Sequence, residues 1–195
     1  MKRDELQELH FITPIENVPS ILELGILSHH RATQLQHRSI AMREIQDRRT
    51  SVVVPGAGRK LHEYANLYLC GRNPMLYKRR HDAICVLAVS TDVLDLPGVI
   101  ITDQNAAGDY VSFRPALTGL SLISADFIFA EDWTDADQIQ YWRKKAAKCA
   151  EVLVPDVVDY RYVLHAYVGT DEMKQRVDTL VTALDTRVNK HLFFR

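Results

Sequence analysis

Residues 148–155 read Lys148-Cys149-Ala150-Glu151-Val152-Leu153-Val154-Pro155, with one carboxylate set directly before an apolar, largely β-branched run. Such a run suits a buried strand, so Glu151 is expected at the strand's start with its carboxylate fixed toward a cleft. A second apolar run, Ala83–Ser90 (AICVLAVS), carries the mark of a strand buried on both faces. His10–Thr13, Asp126–Ala130, Tyr162–Val168 and the terminal HLFF read as further short strands. Helices are expected between them. Asn17 is placed to cap one that Gly25 ends, with Pro19 in its first turn and Ile21, Leu22 and Leu24 on its apolar side. The stretch SIAMREIQDRR predicts a charged helix, with a β-branched run after it. Residues 171–184 put Met173, Val177, Leu180, Val181 and Leu184 on one helical face. Short strands mixed with helices indicate an α+β or mixed α/β domain, without fixing the strand order.

The 195 residues hold no internal repeat, low-complexity tract or Gly/Ser linker, so residues 1–195 are read as a single domain. No run of about 18 uncharged apolar residues exists, and MKRDELQELH puts charges where a signal peptide needs an apolar segment. Cys70, Cys85 and Cys149 are odd in number and form no CxxC pair, so neither a disulfide framework nor a zinc site is suggested. A cytoplasmic protein with no membrane partner is expected. Net charge is only −1, yet the charges are not spread evenly. Residues 43–81 carry nine Lys/Arg against three acids, residues 90–139 one Arg against nine acids, and Arg143, Lys144, Lys145 and Lys148 follow ahead of Glu151. That asymmetry suits a basic face meeting phosphates, or two solvated surfaces with no partner.

No Walker loop, GxGxxG, HExxH or GxSxG is present; His62-Glu63 begins like HExxH, but Asn66 ends that zinc reading. What remains is scattered: His10 and Thr13, Arg48-Arg49, Tyr68, Arg72 to Tyr77, Thr102-Asp103-Gln104-Asn105, and Glu151. Taken singly, Glu151 is a surface glutamate and Arg48-Arg49 a solvated pair. Together they carry more. The strings ITPIENVPSILELGIL, RSIAMREIQDRR, LHEYANLYLCGRNPMLY, ITDQNAA and KCAEVLVP, in this order, resemble the DarT family of DNA ADP-ribosyltransferase toxins from bacterial toxin–antitoxin pairs.

The resemblance implies an ADP-ribosyltransferase fold: two small central β-sheets meeting in an NAD cleft, with flanking helices. It implies Glu151 as the catalytic glutamate and Arg49 as the catalytic arginine. NAD, as co-substrate, would be bound by His10, Phe11, Ile12, Thr13, Ser20, Ser28, Arg49 and Tyr68. DNA and its target base would be met by Arg72, Asn73, Tyr77, Gln104, Asn105, Tyr141, Trp142, Lys145 and Lys148. Three features depart from the family pattern. Phe11 stands where a histidine is usual, with His10 one place earlier; Asn105 replaces the histidine after Thr-Asp; and the stretch from Trp142 to Glu151 is short.

The implied chemistry is physically coherent. Breaking the nicotinamide–ribose bond leaves an oxocarbenium-like sugar, which a fixed carboxylate stabilises. A guanidinium holds its proton too firmly to act as a base, so Arg49 is expected to favour the ionised thymine electrostatically. Single-stranded DNA spares the cost of unpairing the base. Tyr77, Tyr110, Tyr141 and Trp142 can stack on bases, and Gln104 and Asn105 can read a base edge. No metal is required. The expected function is a toxin that modifies thymine in single-stranded DNA and blocks replication, reversed by a macrodomain-type antitoxin. Modification of guanine or of RNA stays open, as does a non-catalytic nucleic-acid-binding module.

Overall fold

The apolar run Ile84–Val89 is buried at all six positions in the computed structural model, which describes residues 1–194. Around it the described residues form β1 (Leu9–Pro14), β2 (Ile26–Leu27), β3 (Tyr64–Tyr68), β4 (Ile84–Val89), β5 (Ile100–Thr102), β6 (Phe113–Pro115), β7 (Glu151–Pro155), β8 (Val157–Val158), β9 (Val163–Val168) and β10 (Thr186–Val188). The helices are α1 (Val18–Leu24), α2 (His29–Ala32), α3 (Arg43–Ser51), α4 (Pro74–Lys78), α5 (Ala116–Gly119), α6 (Ala125–Ile128), α7 (Gln138–Ala147) and α8 (Asp171–Leu180). Eight strands join in the order β10-β9-β4-β1-β3-β7-β5-β6, and β2 pairs with β8 apart from them.

The large sheet is two halves. On one side β1 pairs antiparallel with β4 from Leu9↔Val89 to Pro14↔Ile84, and β4 pairs with β9. On the other, β3 pairs antiparallel with β7 from Tyr64↔Pro155 to Tyr68↔Glu151, and β7 pairs with β5. The halves meet through one register pair, His10↔Tyr68. The two small central sheets expected from the family resemblance are here continuous as one eight-stranded sheet, joined at this pair.

The main core lies under the sheet and gathers Leu9, Leu67, Cys85, Leu87, Val89 and Val152 with Val18 and Ile21 of α1 and Val177 of α8. Each buried Ile, Leu or Val contributes about 1.5–3 kcal/mol by leaving water. Gly25 ends α1 at φ 83, and a Cβ there would lie 2.4 Å from the carbonyl oxygen of Val158. The chain can thus turn straight from the helix into the β2–β8 pair only because that position has no side chain.

Several local expectations change. Asp126–Ala130 is not a strand: Ala125–Ile128 is one helical turn, α6, burying Ile128. The aromatic and β-branched pattern of Phe127-Ile128-Phe129 favours strand locally, but no sheet neighbour is there to pair with it. Helix α8 stops at Leu180, and Val181 is extended. The HLFF segment forms a turn, with Leu192 and Phe193 buried. Asn17 precedes α1 without capping it by its side chain. Instead it clamps residue 38, donating to the Arg38 carbonyl at 2.8 Å and accepting from the Arg38 N–H at 3.1 Å. Among the described residues no helix is long and apolar enough to cross a membrane.

Leu87 is fully buried at the centre of β4. Leu87→Ala should lower the unfolding free energy by about 2–5 kcal/mol, read as a fall in the denaturant midpoint at unchanged slope.

Candidate active site

Glu151 opens β7 between β3 and β5 and is wholly buried, so its carboxylate needs partners. They come from far along the chain. Arg49, in the last turn of α3, is 5% exposed and donates from Nη1 to both Glu151 oxygens, at 3.0 and 3.1 Å. The Ala106 N–H donates to Oε1 at 3.1 Å. A cation near a helix C-terminus is favoured by the helix dipole, and α3 is held by packing against the turn Leu61–Glu63.

A cleft of about 1280 Å³ opens along the seam of the half-sheets. Phe11, Ile12, Thr13, Arg49 and Tyr68 line it, so five of the expected NAD residues come together. Arg49 faces the cleft while Glu151 lies behind it. Ser20 does not join them; it is exposed and donates to the Asn17 carbonyl. Ser28 is fully buried, and its oxygen caps α2 by accepting from the Arg31 N–H. The His10 side chain pairs through Nε2 with Glu8 at 3.2 Å.

Of the expected DNA residues, Arg72, Tyr77, Asn105, Tyr141 and Lys145 line the same cleft. Trp142 is 60% exposed on α7, and Gln104 sits in the loop after β5, its carbonyl accepting from Thr102. Two positions are corrected. Lys148 is only 1% exposed; its ammonium donates to the carbonyls of Ile128 and Ala130 at 2.9 and 2.7 Å, so it ties α6 to the start of β7 and cannot meet a phosphate. Asn73 is fully buried and caps α4, accepting from the Leu76 N–H at 3.0 Å.

The sequence reading missed several cleft residues: Asn17, His29, Gln46, Trp133 and Phe194. Tyr77, Trp133 and Phe194 pack edge to face, with ring centres 5.1–6.1 Å apart. The Arg72 guanidinium lies 4.0 Å from the Phe194 ring centre. These aromatics come from a short helix, an irregular loop and a turn, so no periodicity announces them.

Electrostatics beside the ion pair are distinctive. The rings of His29 and His62 lie 4.2 Å apart. Burial, then His37 and Arg49, lowers the pKa of His29; burial, then His29 and Arg49, lowers that of His62 to about 4. Burial and the Glu151 carboxylate raise the Tyr68 phenol, keeping it a neutral donor. The same two causes push the Cys149 thiol up to about 12, so it is no thiolate nucleophile.

The site is a buried cation–carboxylate pair whose arginine forms part of the wall of a cleft at the sheet seam. A family model described as "ssDNA thymidine ADP-ribosyltransferase, DarT" matches residues 10–194. The chain belongs to the DarT family. It is 33% identical over 182 residues to a DNA ADP-ribosyl transferase–DNA ADP-ribosyl glycohydrolase fusion protein of Thermosipho africanus, covering 86% of this chain but only 44% of that protein. A DNA ADP-ribosyl transferase of Thermus sp. 2.9 is 31% identical over 162 residues, 76% of this chain and 77% of the relative. The solved structure of Thermus sp. 2.9 DarT with ADP-ribosylated ssDNA superposes with a TM-score of 0.84 at 26% identity, covering 98% of this chain and 99% of that one.

The His62 shift has a pH consequence. Its folded pKa of about 4 lies below the ordinary 6.5, so between those values the unfolded chain binds more protons. The stabilising contribution is complete above pH 6.5 and is lost as pH falls toward 4. The melting temperature of His62→Gln should therefore fall less over that window than that of the parent, as followed by circular dichroism.

Proposed function

We propose that this chain transfers ADP-ribose from NAD to thymine in single-stranded DNA, using Glu151 and Arg49. The observation that carries this reading is their buried pair beside a large cleft, in a chain of the DarT family. When the nicotinamide–ribose bond breaks, its electron pair leaves with nicotinamide and positive charge grows on the sugar. Glu151 stabilises that charge electrostatically; its carboxylate lies behind Arg49, so holding a ribose hydroxyl directly requires Arg49 to yield one of its two bonds. Arg49 lowers the cost of the thymine ring nitrogen giving its proton to water in the open cleft, after which the nitrogen's electron pair bonds to the anomeric carbon that nicotinamide has left. No protonatable lone pair on Arg49 is needed.

NAD occupies the side of Phe11, Ile12, Thr13 and Tyr68. The DNA strand follows Arg72, Tyr77, Tyr141 and Lys145, with Gln104 and Asn105 near the target base and Trp142 at the rim. The resulting adduct blocks replication, which makes the protein a toxin. A macrodomain-type glycohydrolase is its counterpart, a pairing consistent with the fused glycohydrolase named in the Thermosipho relative. We take residues 1–195 as one domain, a reading supported by the shared sheet, and place it in the cytoplasm, where NAD and replicating DNA meet.

Incubation with labelled NAD and homopolymer oligonucleotides should label thymine-containing DNA. Labelling confined to guanine or to RNA would refute the thymine assignment. Glu151→Ala should lower transfer by at least about 10²–10³-fold. Lys145→Ala should weaken single-strand binding and flatten the plot of log K against log salt by about 0.7, the share of one phosphate contact.

A further inference from the structure

The ladder between β5 and β7 stops one pair short of the catalytic residue. Ile100 pairs with Leu153 and Ile101 with Val152, but beyond them the backbone polar groups of Glu151 meet a side chain. The Glu151 N–H donates to Thr102 Oγ at 3.1 Å, and that hydroxyl lies 3.4 Å from the Glu151 carbonyl. Its own proton goes to the Gln104 carbonyl at 2.7 Å. Thr102 is completely buried, so water cannot substitute.

Thr102 Oγ thus does the work of a missing strand residue. A backbone partner there would carry β5 onward past Glu151. Because a side chain supplies the acceptor, the chain is free to turn at Asp103, and the turn carries Ala106 back over the carboxylate. The loop is braced further by Ser112 N–H to Asp103, Ala107 N–H to the Asn105 side chain and Gly108 N–H to the Asn105 carbonyl. Its end is the Ala106 N–H bond to Glu151 Oε1 at 3.1 Å. One hydroxyl therefore fixes both the backbone of the catalytic glutamate and the loop that aims its carboxylate.

We propose that Thr102 is a positioning residue for the transfer reaction: it couples the loop of Gln104 and Asn105 to the Glu151 carboxylate. The inference rests on the transferase reading for its kinetic consequence and on the geometry alone for its structural one. Thr102→Val keeps the shape, removes the hydroxyl and leaves the buried Glu151 N–H unsatisfied. Thr102→Ser keeps the hydroxyl.

The test compares both variants with the parent by amide NMR and by transfer kinetics. In the parent the Ala106 amide proton should resonate downfield, as expected for a bond to a carboxylate. In T102V it should move toward the unbonded position, and in T102S it should stay. With thymine oligonucleotide, T102V should lose at least about tenfold in kcat with KM for NAD little changed, and T102S should recover it. An Ala106 amide unmoved in T102V, or a T102V kcat within about twofold of the parent, overturns the proposal. So does a T102S variant as impaired as T102V. If T102V does not fold, the contrast of T102S with T102A decides in the same way. If the parent labels no DNA, the transferase reading fails and the amide shift alone judges Thr102.

Discussion

A carboxylate and a guanidinium 102 positions apart in sequence meet, the carboxylate wholly buried and the guanidinium at the cleft wall. Removing both charges from water is costly, and the attraction between them offsets that cost only when the remaining lone pairs are also satisfied. The rest of the fold supplies those conditions. The pairing of β3, β7 and β5 holds the Glu151 backbone, the turn Leu61–Glu63 supports α3, and the Ala106 amide takes a second place on the carboxylate. Burial and the neighbouring charges lower the pKa of both adjacent histidines, which disfavours a competing positive charge there. A buried pair of this kind adds little net stability, because the attraction is largely offset by the loss of hydration.

The parts legible in the sequence were those that depend on side-chain type and local period. Ile84–Val89 announced itself by continuous apolar composition, and the start of β7 by Glu151 before Val152-Leu153-Val154. The charged helix ending near Arg49 was equally plain. That Arg49 and Glu151 meet was implied by the family resemblance and by no spacing rule, since long-range contacts leave no local trace. The same limit hid Trp133 and Phe194, which reach the cleft from irregular segments.

Polar residues were the least legible. Lys148 belongs to a basic run, and a basic run reads as a phosphate-binding surface; the structure turns this lysine inward to two carbonyls 18 and 20 positions back. Asn73 and Ser28 were expected as ligand contacts from the family resemblance, but both are consumed as helix caps. Capping needs the same short polar side chains as recognition does, and composition cannot separate the two. Burial of the partner groups decides, and burial is set by tertiary packing.

The seam at His10↔Tyr68 gives the cleft a mechanical property. A ladder resists bending in proportion to the hydrogen bonds that must distort, and elsewhere β1 and β3 each carry five or six register pairs to their outer neighbours. With one pair between them, the two halves are joined at this line chiefly by the core beneath, where Leu9 and Leu87 pack with Leu67 and Val152. The Arg49–Glu151 pair ties helix α3 to a strand of one half, beside a gap that β1 of the other half lines from across the seam.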